Sequence, residues 1–184
     1  MNIVELILIS LASLFSMAGL VYTVIIFNGL VRLNNNIEKA YANIDVLLKQ
    51  RFDEVPNLIN VCKGYIKYER KVLTDLAKLR STFIHTKSTI DKDSINQVLN
   101  TKIPTLYATV EKYPKLKSSK MFLHVQKRLT DLEMEIADRR EFFNESVNKY
   151  NIRLESFPDM IIAKICHYNR KNMFEDLSDE EFRN

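Results

Sequence analysis

A run of uncharged, mostly apolar residues near the N-terminus constrains this chain more than any other feature. It extends from Leu6 to Phe27 and reads LILISLASLFSMAGLVYTVIIF. As a helix, these 22 residues would be about 33 Å long, enough to cross a hydrocarbon core of about 30 Å. We therefore predict a membrane-spanning helix in which residues 6–27 contact the lipid bilayer.

A cleaved signal peptide is the alternative interpretation of this run. Ser16, Met17 and Ala18 provide a small-x-small site at which such a peptide could be cut. However, the residues before the run contain Glu5 and neither Lys nor Arg, and the apolar run continues past Ala18 to Phe27. Both features favour an uncleaved anchor.

Basic residues beside the run predict its direction, because Lys and Arg that flank a span tend to stay in the cytoplasm. None precedes the run, whereas Arg32, Lys39, Lys49 and Arg51 follow it. We predict a single-pass protein of the cell membrane with its short N-terminus outside and its remaining domain in the cytoplasm.

Beyond the anchor, apolar residues recur at alternating steps of three and four, the spacing of helices that pack in a bundle. The first seam consists of Leu30, Ile37, Tyr41, Ile44, Leu48, Val55, Leu58, Cys62, Tyr65, Val72, Leu76, Leu79 and Phe83. Two later seams consist of Ile95, Val98, Leu99, Leu106, Tyr107 and Val110, and of Phe122, Val125, Leu129, Leu132, Ile136, Phe143, Val147, Tyr150 and Leu154. With only three glycines and four prolines in the chain, this spacing predicts an all-α domain.

Pro56 leaves two interpretations of the first seam open. The seam keeps its phase across Pro56, which favours one long kinked helix. Alternatively, Asp53 could cap a new helix that has Pro56 in its first turn.

Other local signals predict the remaining helix boundaries. The polar stretch from His85 to Asp93 is typical of a loop, and Ser94-Ile95-Asn96-Gln97 has the capping-box pattern that opens a helix. Tyr113-Pro114 should end that helix, and a last one should begin near residue 118 or 119 and stop at Phe157-Pro158.

Residue types that carry chemistry form no known constellation. The three histidines (His85, His124 and His167) and the two cysteines (Cys62 and Cys166) lack the spacing of a metal site. The sequence has neither a phosphate-binding glycine loop nor a nucleophile elbow. Carboxylates such as Glu133 and Glu135 lie on a charged helix face, which is typical of solvated surface. We predict a non-enzyme with no catalytic, cofactor-binding or metal site and no cofactor.

Nucleic acid is not a predicted partner either. The bases alternate with acids instead of forming a stripe with interleaved aromatic residues.

Two long stretches resemble the LemA family. The first, from Phe27 to Glu69, contains Ala42-Asn43-Ile44-Asp45-Val46, Val55-Pro56-Asn57-Leu58 and Lys63-Gly64-Tyr65. The second, from Glu111 to Pro158, contains Tyr113-Pro114-Lys115-Leu116-Lys117, Ala137-Asp138-Arg139-Arg140, Tyr150-Asn151 and Glu155-Ser156-Phe157-Pro158. The chain departs from the family pattern at Tyr41, where Trp is usual, at Phe143-Asn144, where Tyr-Asn is usual, and at Asn34, where Arg is common.

The resemblance implies a membrane helix with its short tail outside, followed by an antiparallel up-and-down bundle of four helices. Such a bundle favours a hairpin at Pro56, and we adopt it as the fold prediction, with a long kinked helix through Pro56 and a three-element bundle as the alternative. The predicted domains are a membrane anchor at residues 1–28, a helical bundle at 29–158 and a C-terminal segment at 159–184.

The biochemical role of the LemA family is not established. Resemblance and missing chemistry together imply a membrane-anchored, non-enzymatic scaffold or adaptor with an unidentified protein partner. LemA genes often neighbour a membrane zinc metalloprotease, which suggests that enzyme as a partner and membrane-protein quality control as a context.

The C-terminal segment contains a second candidate membrane contact. Residues 159–174, DMIIAKICHYNRKNMF, mix large apolar residues with Lys164, Arg170 and Lys171. Residues 160–174 could form an interfacial helix on anionic lipid, or the segment could pack over the end of the bundle. The last ten residues, 175–184, hold five acids and one base and should oppose the lipid contact.

A ligand-binding or enzymatic bundle is the alternative function. Asn34, Arg51 and Glu69 interrupt the apolar seams and could line an internal polar pocket. Polar residues in a helical core more often fix the register of the helices. Exposed or paired side chains with no cavity between the helices would exclude the pocket.

Overall fold

The computed structural model describes residues 3–66, 68 and 70–174, and all regular elements in these ranges are helices. They are α1 (Ile3–Lys63), α2 (Arg70–His85), α3 (Thr89–Val110), α4 (Pro114–Lys117), α5 (Lys120–Glu155) and α6 (Asp159–Ile165). The predicted all-α class is confirmed. Glu69 and the acidic tail at 175–184 lie outside the described residues.

The described residues form two compact units. One contains residues 3–38 and 145–172, and the other contains the described residues of 39–144 together with 173 and 174. Helices α1 and α5 each contribute residues to both units.

The first unit contains the apolar start of α1. This is the one helix in the described part of the chain that is long and apolar enough to cross a membrane, and its most apolar window has no buried residue. Burial begins at Ile26 and continues at Leu30 and Ile37. The apolar half of α1 is therefore compatible with a membrane anchor, and the helix becomes part of a protein core where the apolar run ends.

The second unit is built from four helical segments whose directions alternate. Tyr41 and Arg51 of α1 contact Phe143 and Glu133 of α5, respectively, so these two helices run in opposite directions. Two further pairs, Asp45 with Lys92 and Arg51 with Asn96, show that α3 runs parallel to α1.

Helix α2 completes the alternation. Asp75 of α2 pairs with Lys102 of α3, whereas Phe83, further along α2, lies under Lys92 of α3. The pairing order is reversed, so α2 is antiparallel to α3. The ring of Phe83 also stacks on that of Phe52 in α1, with centroids 4.0 Å apart.

The hairpin predicted at Pro56 is wrong, because α1 continues through Pro56 to Lys63. The physical reason is the unbroken burial on both sides of the proline, at Phe52, Val55, Leu58 and Cys62. Reversal occurs instead after Lys63, where the amides of Tyr65 and Ile66 donate to the carbonyl oxygen of Cys62. The long-helix alternative is correct at this position.

The loop predicted from His85 to Asp93 is also too long, since α3 begins at Thr89. The Ser88 side chain caps this helix by accepting from the Asp91 amide at 3.4 Å. Ser94, the predicted cap, lies inside the helix and donates to the carbonyl oxygen of Ile90. Burial of Asp93 and Asn96 in the core favours the earlier start.

We predict that Ser88→Ala lowers the free energy of unfolding by about 1 kcal/mol, because it removes the side-chain acceptor of an N-cap. Ser94→Ala is the matched control and should leave stability unchanged or slightly raised, since Ala is the better residue in a helix interior. Urea unfolding of the full chain in detergent, followed by circular dichroism, measures both. A larger loss for Ser94→Ala would place the helix start at residue 94.

Candidate functional site

The centre of the second unit contains a buried cation, Arg51 of α1, whose side chain is 1% exposed. Its Nη1 donates to Oδ1 of Asn96 on α3 at 2.7 Å. Its Nη2 lies 3.3 Å from Oε2 of Glu133 on α5, a side chain that is 52% exposed. Burial lowers the pKa of Arg51 and the negative charge of Glu133 opposes this. The guanidinium remains charged at neutral pH and ties three helices together.

A cavity of about 120 Å³ adjoins this guanidinium. Its polar lining consists of Arg51, Asn100, Tyr107, Thr130 and Glu133. Three buried atoms of this lining have no hydrogen-bond partner in the protein, namely Nε of Arg51, Oδ1 of Asn100 and the hydroxyl of Tyr107. A cavity of this size and polarity suits a few water molecules and is smaller than the roughly 300–1,000 Å³ of most small-molecule sites.

A proline in this lining leaves one main-chain oxygen without its usual helical donor. Pro104 also lines it and lies inside α3. Since proline has no amide hydrogen, it cannot donate to the carbonyl oxygen four residues earlier, which is that of Asn100. Asn100 therefore has a main-chain oxygen without its usual helical donor, in addition to a buried side-chain oxygen without a hydrogen-bond partner in the protein.

Two buried potential nucleophiles of the second unit, Tyr107 and Cys62, stay protonated at neutral pH. Burial raises the pKa of the Tyr107 phenol to about 12, although Arg51 acts in the opposite direction. Burial also raises the pKa of the Cys62 thiol to about 11. Neither group supplies an anion for nucleophilic or general-base catalysis. The arrangement is suited to holding helices in register around one buried charge.

Of the polar seam residues predicted to line a pocket, Arg51 adjoins a cavity. Asn34 is half-buried and donates to Oε1 of Glu38 on the next turn of the same helix at 2.8 Å. Glu69 is not among the described residues. Glu133, which the charged pattern of α5 placed on a solvated face, is half exposed but pairs with Arg51.

Two asparagines of α5 hold the chain that follows α6. In the first unit, the Asn151 side chain donates to the carbonyl oxygen of Lys171 at 2.8 Å and accepts from its amide at 3.0 Å. In the second unit, Oδ1 of Asn144 accepts from the amide of Phe174 at 2.7 Å. Both asparagines belong to motifs of the LemA resemblance, but sequence reasoning gave them no role.

An aromatic cluster of the second unit surrounds Phe174. This residue is buried, and its ring centroid lies 5.6 Å from that of Phe143 and 6.3 Å from that of Tyr41. The guanidinium of Arg140 lies over the same ring and pairs with Asp93. Tyr41 and Phe143, two of the departures from the family pattern, therefore pack around one residue. The interfacial-helix alternative for residues 160–174 would expose Phe174 to lipid, but the Phe174 side chain is enclosed by protein.

Comparison with known proteins agrees with these motif positions. The family model described as LemA family matches residues 40–184. The chain belongs to the LemA family.

Individual relatives share a low sequence identity with this chain. Magnetosome protein MamQ of Magnetospirillum gryphiswaldense is 20% identical over 191 residues, covering 89% of this chain and 70% of the relative. Magnetosome protein MamQ 1 of Paramagnetospirillum magneticum matches with the same identity and coverage. Protein LemA of Metamycoplasma hominis is 26% identical over 148 residues, covering 77% of this chain and 66% of the relative.

We predict that Glu133→Gln lowers the free energy of unfolding by about 1 kcal/mol, because Arg51 keeps its charge and loses its counter-charge. The double variant Arg51→Met/Glu133→Gln should recover part of this loss, since an apolar side chain in the core needs no counter-ion. Recovery is incomplete because Asn96 loses its hydrogen-bond donor. Glu135→Gln, exposed on the same helix, is the control and should have no effect. If the losses in free energy of unfolding for Arg51→Met and Glu133→Gln, each measured alone by urea unfolding, add up to the loss of the double variant, the pair is not coupled.

We also predict that stability falls as pH rises above about 9. The ordinary pKa values are 9.0 for the Cys62 thiol and 10.0 for the Tyr107 phenol, and folding raises them to about 11 and about 12. The unfolded chain therefore releases these protons first, and stabilisation that is complete below pH 9 is lost as pH rises towards the folded-state values. Tyr107→Phe should make the loss smaller in unfolding titrations. An unchanged pH profile for Tyr107→Phe would contradict this assignment.

Proposed function

We propose that this LemA-family protein is a membrane-anchored, non-enzymatic scaffold whose helical domain binds another protein. The observation that carries the proposal is the contrast along α1. The large apolar side chains between Leu6 and Ile25 are exposed, whereas Ile26 and Leu30 are buried. Leaving such side chains in water would cost roughly 1.5–3 kcal/mol each, and a bilayer removes this cost. One helix would then serve as both anchor and core element.

The direction of the anchor follows from its flanking charges. The four bases between Arg32 and Arg51 support a single-pass arrangement in the cell membrane, with the N-terminus outside and the helical domain in the cytoplasm.

The non-enzymatic part of the proposal rests on the buried polar residues of the second unit. We call Arg51, Asn96 and Glu133 the Arg51 cluster. Arg51 is paired with Asn96 and Glu133, and the raised pKa values of Cys62 and Tyr107 keep both groups protonated. These residues support a role in stability and not in a reaction. By resemblance to LemA proteins, a membrane zinc metalloprotease is the first partner to test.

The experiment is crosslinking in intact membranes followed by purification under denaturing conditions. The full chain and a variant with residues 6–27 replaced by an unrelated spanning helix should recover the same partner, because the domain carries the binding surface. A chain that begins at Asn28 should recover less of a membrane-bound partner, because the anchor no longer holds the domain at the membrane. Arg51→Met/Glu133→Gln is the control. It should still recover the partner, because the Arg51 cluster stabilises the fold and does not contact the partner.

Recovery of no protein beyond that found with the anchor alone would contradict the scaffold. Loss of the partner in the folded Arg51→Met/Glu133→Gln variant would instead favour a binding site at the cluster.

We predict that Ser81→Cys, in a Cys166→Ser background, is not labelled by a membrane-impermeant maleimide in intact cells and is labelled after permeabilisation. Ser81 is exposed on α2, whereas the remaining thiol, Cys62, is buried with a raised pKa and should not react. Asn2→Cys in the same background should be labelled without permeabilisation. The opposite pattern would reverse the proposed orientation.

A further inference from the structure

The short helix α6 has one buried and one exposed face. Asp159 and Ala163, four residues apart, are buried in the first unit. On the opposite side of α6, Ile161 and Ile165 are 47% and 70% exposed, and Phe157, two residues before the helix begins, is 79% exposed. We call these three exposed apolar side chains, at and just before α6, the α6 apolar face.

This face is close to the end of the apolar run in the same unit. Nε of Arg153 donates to the Asp159 carboxylate at the start of α6. The guanidinium of Arg153 also covers Gly29, where a Cβ atom would lie only 2.6 Å from Nη1. Gly29 is two residues beyond Phe27, the last residue of the apolar run. The chain of contacts from Gly29 through Arg153 to Asp159 therefore places α6 beside the point where α1 would leave the bilayer.

Local structure fixes the orientation of α6. Its C-terminus has the Schellman arrangement, in which the amides of His167 and Tyr168 donate to the carbonyl oxygens of Lys164 and Ala163 and His167 adopts a positive φ of 56°. The Tyr168 ring then packs edge-on against that of Tyr150 at 6.5 Å. The α6 apolar face is thus held in a defined direction.

Charges near this face suit a lipid surface. Lys164, on α6 itself, is exposed. Lys171 lies 5.7 Å from the ring centroid of Tyr150, and Arg170 pairs with Glu155 at 2.9 Å in an exposed ion pair. Basic side chains beside exposed apolar ones are the composition of an interfacial membrane contact.

We propose that Phe157, Ile161 and Ile165 insert into the boundary between headgroups and acyl chains of the bilayer spanned by α1, with Lys164 contacting anionic headgroups. The inference deepens the proposed function and rests on its membrane anchor. A bilayer is favoured over a protein occupant because the exposed face adjoins the end of the apolar run. The contact is limited to residues 157–165, since Phe174 is enclosed by protein.

The chain has no tryptophan, so one introduced tryptophan reports its own surroundings. The test uses the full chain in nanodiscs of phosphatidylcholine, with or without phosphatidylglycerol. The acyl chains carry bromine near the headgroup for the α6 reporter and near the bilayer centre for the anchor reporter. Ile161→Trp reports α6, Leu14→Trp reports the anchor, and Met134→Trp, a side chain 56% exposed on α5, is the control.

We expect brominated lipid to lower Ile161→Trp emission about twofold, because an interfacial side chain lies within about 5–10 Å of the headgroup boundary. Phosphatidylglycerol should strengthen the effect, and Met134→Trp should be unaffected. Quenching of Leu14→Trp without quenching of Ile161→Trp would overturn the α6 contact and leave the anchor intact.

Two further outcomes of the quenching experiment would contradict the anchor or the lipid contact separately. Absence of quenching at Leu14→Trp would overturn the anchor itself. Protection of Ile161→Trp from aqueous iodide without quenching by brominated lipid would show that protein covers the face, which also contradicts the lipid contact. Ile165→Trp repeats the measurement if Ile161→Trp does not fold.

Discussion

The structure depends on the burial that keeps α1 continuous through Pro56. A proline in a helix interior costs about 3 kcal/mol, because it removes one hydrogen bond and crowds the preceding turn. Phe52, Val55 and Leu58 flank this position and are all buried. Each contributes roughly 1.5–3 kcal/mol by leaving water, so packing exceeds the local cost. Both units contain part of the resulting 61-residue helix.

The same balance explains which parts of the fold could be predicted from sequence. Helical spacing predicts burial well where a long helix has one apolar side, and all nine residues of the α5 seam are buried. It fails in α3, where Val98 is exposed while Asp93 and Asn96 are buried. Those two side chains are satisfied by Arg140 and Arg51, which are distant in sequence. A pattern of apolar residues cannot identify such partners.

The predicted start of α3 is wrong for a related reason. Ser88 and Ser94 both have a sequence context that can begin a helix, and the choice between them depends on which later residues enter the core. Arg51 was recognisable as a polar interruption of a seam, but its pairing with Asn96 and Glu133 was not. The polar partners of a buried residue are determined by tertiary packing. In the sequence, the segments around Asn96 and Glu133 have the same alternation of charged and apolar residues as a helix exposed to solvent.

The C-terminal segment shows how one amphipathic sequence can divide between two environments. By composition, Ile161 and Phe174 belong to the same apolar surface, yet Ile161 is exposed and Phe174 is buried. The Schellman motif ends α6 at Ile165, after which Asn151 binds the main chain of Lys171. These hydrogen bonds satisfy the amide and the carbonyl oxygen of Lys171. In a continuous interfacial helix, the same groups would pair with other main-chain groups of the helix. Pairing of the Lys171 main chain with the Asn151 side chain therefore restricts the exposed apolar surface to α6, beside the end of the apolar run, where a bilayer can cover it.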